Sequence, residues 1–68
     1  MVASYERILA YFAYQHLPQG LQQVSKPICD IAHAYAELMQ DSNDPDEVAV
    51  GLRKLLEAKD CFVRAKLK

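Results

Sequence analysis

The chain has no tryptophan, only two glycines and two cysteines, and a net charge of just −1 at pH 7. Each shortage removes a class of answer. Cys29 and Cys61 are too few and too far apart for a disulfide framework or a zinc site, both of which need clustered ligands. Both are expected to be reduced and structural. Cys29 and His33 do stand at i, i+4, the spacing of half a metal site or of a thiol–imidazole pair, but no third ligand or orienting group lies nearby in sequence. The near-neutral charge offers no field to draw in a polyanion, so neither DNA, RNA nor an anionic membrane is an expected partner. A run of about 18 apolar residues, as a membrane span requires, is missing, and the Glu6–Arg7 pair in MVASYERILAYFAYQ suits neither a signal peptide nor a spanning helix. A cytoplasmic protein is expected. The sequence also lacks a nucleophile–base–orienter set, a glycine-rich phosphate loop and clustered carboxylates. Nothing in it calls for a cofactor or an enzyme, and the pattern is that of a binder.

What is present is apolar surface. Sixty-eight residues, 51% of them hydrophobic, make one domain over residues 1–68, and a chain this short buries only about 60% of the surface its unfolded form exposes. A single small core rarely supplies more than about 3–5 kcal/mol. With disulfides and metals set aside, self-association is the expected remedy.

The hydrophobic periodicity gives three segments, all helical. The first starts at Ser4 as N-cap, carries Tyr5, Ile8, Leu9 and Phe12 on one face, and ends near HLPQG, where Pro18 and Gly20 mark a turn or an irregular lead into the next helix. The second, from about residue 20 to 40, spaces Leu21, Val24, Ile28, Ile31, Tyr35 and Leu38 as the seam of a coiled-coil-like helix. Pro27 lies inside it and implies either a fresh start capped by Ser25 or, preferably, a kink. After the polar DSNDPD connector, Asp44 as N-cap, Pro45 at N1 and Glu47 at N3 spell a capping box, so a third helix is expected over 45–66. Arg53, Glu57, Asp60 and Arg64 follow one of its flanks at ion-pairing distances, most simply as a solvated face. Two long helices joined by a short connector form an antiparallel hairpin, and the short N-terminal helix can cover only part of it. The fold class is therefore all-α, assembled as a homo-oligomer.

Lys59 is the anomaly. It falls near the centre of the arc holding Leu52, Leu56 and Val63, where an apolar residue is expected. Either its stem lies along apolar surface with the ammonium reaching solvent, or subunits of an oligomer gather several copies around a pocket where a bound anion, such as a phosphate, supplies the counter-charge. Tyr14 points away from the Tyr5–Ile8–Phe12 face. Its ring is either a platform for stacking a base, with His16 or Lys26 meeting a phosphate, or a contact with a neighbouring subunit. His33, beside Asp30 and Glu37, reads as a solvated histidine.

The stretches FAYQHLP (12–18), QVSKPICDIAHAYAELM (23–39), the capped connector and VGLRKLLEAKDCFVRAKL (50–67) resemble a family of small helical-hairpin proteins of bacteriophages. That family includes the anti-CBASS sponges, which sequester cyclic-oligonucleotide alarm signals of the host, and is related to the anti-Thoeris sponges. The resemblance implies a compact hexamer that binds its signal between protomers without altering it, inside the infected bacterial cell. It implies an aromatic that stacks on a base, matched by Tyr14 with His16 displaced by Gln15, and a basic residue early in the next helix, for which Lys26 is the nearest. Lys59 has no counterpart in the better-known sponges, but its place in the stripe suits a second anion site near a subunit junction, with Arg53, Arg64, Lys66 and Lys68 extending it. The alternatives are a sponge for a signal of the cyclic ADP-ribose type, or a helical module that docks another protein.

Overall fold

The computed structural model describes residues 3–67, with side chains from Tyr5 onward. Among these residues every regular element is helical: α1 (Ala3–Leu9), a 3-10 turn η1 (Ala10–Phe12), α2 (Gln19–Leu38) and α3 (Pro45–Leu67). The α1 helix already includes Ser4, so the expected N-cap lies one residue inside it, and the Ser4 side chain falls outside the described residues. The long pair forms the expected hairpin, and α1 with η1 packs across one of its sides. Neither helix meets the length and apolarity needed to cross a membrane, among the described residues.

The start of α3 follows from its residues. Asp44 caps it, its Oδ1 accepting from the Glu47 N–H at 3.1 Å, and Pro45, whose missing N–H costs nothing in the first turn, occupies N1. The box is only half made, because the Asp44 N–H donates to Ser42 Oγ at 3.0 Å where the Glu47 side chain was expected. α2 begins earlier and more simply than the sequence suggested. Pro18 (φ −55°, ψ 151°) is its N-cap, its carbonyl accepts from Leu21 and Gln22, and Gly20 is helical. The helix then runs unbroken through Pro27, so Ser25 starts no second helix.

The core corrects the seam. Tyr5, Ile8 and Phe12 are buried as expected, but α2 contributes Ser25, Cys29, Ala32 and Ala36, and α3 contributes Leu52. The spacing 4, 3, 4 of that small-residue row is as helical as the seam beside it. Small side chains let both α3 and the α1–η1 arm approach the α2 backbone closely, and Phe12, fully enclosed, fills the space this creates, at roughly 1.5–3 kcal/mol for the burial. The Tyr5 hydroxyl donates to the Pro45 carbonyl at 3.4 Å, tying α1 to the head of α3. The large seam residues lie outside the core. Leu21, Val24 and Ile28 are half-buried, while Ile31, Tyr35 and Leu38 are 45%, 54% and 66% exposed.

Candidate functional site

The segment joining η1 to α2 is built to hold Tyr14. Phe12 is locked in the core, Ala13 is extended (φ −56°, ψ 140°), and the Leu17 N–H returns to the Tyr14 carbonyl at 3.0 Å to close a turn. Gln22, one turn into α2, clamps that turn from below, its Nε2 donating to the Leu17 carbonyl at 2.7 Å and to the Gln15 carbonyl at 3.4 Å. The Tyr14 N–H meets the Gln15 side chain at 3.3 Å. Tyr14 is therefore not the free-standing ring expected. It is half-buried and packs against the core, because the turn carries it back onto α2 and does not leave it on the outer side of the first helix.

Lys26 stands at the same corner. Its Nζ donates to Asp30 Oδ2 at 2.9 Å, and both side chains are more than half exposed. The Lys26 pKa is raised, first by that hydrogen bond and the Asp30 charge and then by Tyr14. Gln22, which holds the Tyr14 turn, lies one turn before Lys26 on α2, so an aromatic and a cation separated in sequence come to one corner. His16 is exposed in the turn, and among the described residues no hydrogen bond fixes its ring.

Lys59 has a different setting. Its side chain is only 12% exposed, as its place on the stripe implies, but its Nζ lies 3.0 Å from Asp60 Oδ1. The counter-charge expected from a bound anion is supplied by the next residue. The Cys29 thiol pKa is raised by burial first and by Asp30 next, and is lowered by Lys26 and, least, by the Lys59 ammonium across the hairpin. Arg53 and Arg64 do not join it. At about 100° per residue they sit some 120–140° round α3 from Lys59, both exposed, and Arg64 Nη2 donates to Cys61 Sγ at 3.3 Å. Lys66 does share the Lys59 stripe, two turns on, whereas Lys68 lies outside the described residues. The Arg53–Glu57 and Asp60–Arg64 pairs that the flank permits are not formed: among the described residues the ion pairs are Lys26–Asp30 and Lys59–Asp60.

Cys29, His33 and Glu6 border one shallow hollow of about 330 Å³ between α1 and α2. Burial holds the thiol protonated, which denies it nucleophilic character, and no group of three potential metal ligands exists among the described residues. A larger hollow of about 620 Å³ opens on the other side of the hairpin between α2 and α3, lined by Ile31 and Tyr35 of the exposed seam. The sequence reading missed it by assigning the seam to the core. The row Ser25–Cys29–Ala32–Ala36 was the available signal. Comparison of the chain with protein-family models, with curated proteins and with solved structures finds no match.

Proposed function

We propose that this protein binds and sequesters a cyclic oligonucleotide immune signal without cleaving it, acting as a phage anti-defence protein and working as a homo-oligomer. The reading is supported by one observation above all: Gln22 clamps the turn that carries the half-buried Tyr14, and the exposed Lys26 stands one turn further along the same helix. A cyclic oligonucleotide offers both chemistries that such a corner accepts. A base stacks on the open part of the ring, and a phosphate oxygen replaces the Asp30 carboxylate on Lys26. That exchange is easy because a solvent-exposed ion pair is worth little, while a phosphate accepts strong charge-assisted hydrogen bonds.

The test is calorimetry of the full chain against a panel of cyclic dinucleotides, cyclic trinucleotides and cyclic ADP-ribose isomers, followed by recovery of the ligand after denaturation. Saturable binding with the ligand returned intact is expected. Tyr14→Leu, which keeps much of the packing volume and removes the aromatic face, should weaken that binding by about 1–3 kcal/mol. Cleavage of the ligand, or no heat with any member of the panel, sinks the proposal. The rival reading, a helical module that docks another protein, is favoured by the apolar hollow between α2 and α3, and under it no panel member binds.

A further inference from the structure

The hollow on the open side of the hairpin has features that the single chain does not explain. Ile31 and Tyr35 of α2, Met39 just past its end, and Val48, Leu52 and Leu55 of α3 line it, and on the helical wheel the α3 stripe continues to Phe62, itself 58% exposed. Gly51 lies in its floor. Glycine is a poor choice for the interior of a helix, yet Gly51 has no left-handed backbone among the described residues, and a Cβ there would meet nothing within 4 Å. Nothing among the described residues requires a glycine at this position, whereas a surface packed from outside against the α3 backbone would.

We infer that this groove seats a second copy of the chain, docked antiparallel about a two-fold axis so that each Tyr35 lies against the Gly51 region of the other. Two observations select this occupant. The first is size. The molecule measures 40 × 18 × 16 Å, so its long face spans about 720 Å² in flat projection, close to the about 800 Å² per partner typical of a stable interface, and a two-fold interface uses the same patch on both copies. The second is charge. The first turn of α3 is acidic through Asp46 and Glu47 and its last turn basic through Arg64 and Lys66, with Asp41 and Asp44 adding to the acidic end. Parallel docking would stack like charges at both ends, and antiparallel docking sets each acidic end against a basic one. The inference rests on the self-association in the proposed function and is independent of the nucleotide.

Gly51→Lys tests it, because the substitution replaces a helix-disfavouring residue at a position with room for a side chain, so the fold is retained while the groove is obstructed. Light scattering, with helicity followed by circular dichroism, should show the parent as a multiple of 7.7 kDa and Gly51→Lys at half that mass or less with helicity kept. Val50→Lys, on the side of α3 away from the groove and 44% exposed in the parent, should leave the mass unchanged. Glu47→Lys and Lys66→Glu, both on the groove side of α3 by helical position, should each weaken assembly and together restore it. A parent of single-chain mass, a Gly51→Lys protein of undiminished mass, or a Val50→Lys protein that dissociates as readily as Gly51→Lys overturns the interface. Failure of the double charge reversal to restore assembly overturns the antiparallel arrangement. Assembly through the groove with no response to any cyclic nucleotide supports this inference and overturns the proposed function alone.

Discussion

Replacing Lys59 with methionine and, separately, with alanine resolves what this lysine contributes. Its side chain is 12% exposed, so the three methylenes beyond Cβ are largely covered, and at about 0.8 kcal/mol for each buried CH₂ the stem is worth roughly 2 kcal/mol of packing. The ammonium adds far less. Its partner Asp60 is 46% exposed, which screens the pair to within about 1 kcal/mol, and the cost of holding the ammonium away from water acts against even that. Lys59→Met keeps the stem and should change stability by no more than about 1 kcal/mol in either direction, whereas Lys59→Ala should lose about 2 kcal/mol. Urea unfolding at one fixed chain concentration reads the gap between the two variants. With a slope of about 1 kcal/mol/M for so small a chain, the midpoints should differ by about 2 M at unchanged slope. Nucleotide affinity should be the same in Lys59→Met as in the parent, at low and at high salt, since Asp60 already answers the charge. A Lys59→Met protein no more stable than Lys59→Ala refutes this account, for then the charge and not the stem is what the site holds.

Ser25→Ala should stabilise the chain by about 1–2 kcal/mol in thermal unfolding at fixed concentration, because it removes a fully buried hydroxyl that has no partner and improves helix propensity; a loss of stability would show that the hydroxyl is bonded in solution. Cys29 sets a pH dependence. Burial, the largest cause, and Asp30 raise its folded pKa while Lys26 and, less, Lys59 lower it, so the unfolded chain releases its proton first. The contribution is complete below the ordinary thiol pKa of about 8.5 and is lost as pH rises towards the folded value. Stability curves between pH 7 and 10 should therefore fall less steeply in Cys29→Ala than in the parent. Equal slopes would assign the alkaline loss to other groups.

Periodicity was enough to place helices and insufficient to choose their buried faces. The α3 start was legible because a cap is a local event: Asp44, Pro45 and Glu47 act within one turn, whatever packs above them. The face of α2 was not, because two rows of helical spacing run side by side on it, one of large apolar residues and one of Ser25, Cys29, Ala32 and Ala36. Counting hydrophobic volume favours the first. Close approach of two neighbouring elements favours the second, and that depends on α1 and α3, which the α2 sequence cannot report. Tyr14 failed for a related reason: on an unbroken first helix it points outward, but the extended Ala13 and the Gln22 clamp turn it inward. Lys59 was placed correctly on its stripe, and its partner was overlooked because adjacent residues on a helix do not ordinarily face each other.

Three residues around the Tyr14 corner break local rules together, and the coincidence bears on function. Pro27 removes a backbone donor in the interior of α2, leaving the Gln23 carbonyl without its helical partner, and a proline disfavours helical geometry in the residue before it. That residue is Lys26. Ser25, just before it, carries the orphan hydroxyl. A helix selected for stability alone would hold alanine or leucine at such positions, and sequences tolerate conflicts of this kind chiefly where a site requires them. Gly51 is a fourth exception, remote from this corner and in the floor of the open groove. The conflicts therefore fall at the two places proposed above to meet an outside partner: Lys26 with Tyr14 for a small ligand, and the exposed seam for another copy. Elsewhere in the described core, Tyr5, Ile8, Phe12, Ala32, Ala36 and Leu52 obey the ordinary rules of burial.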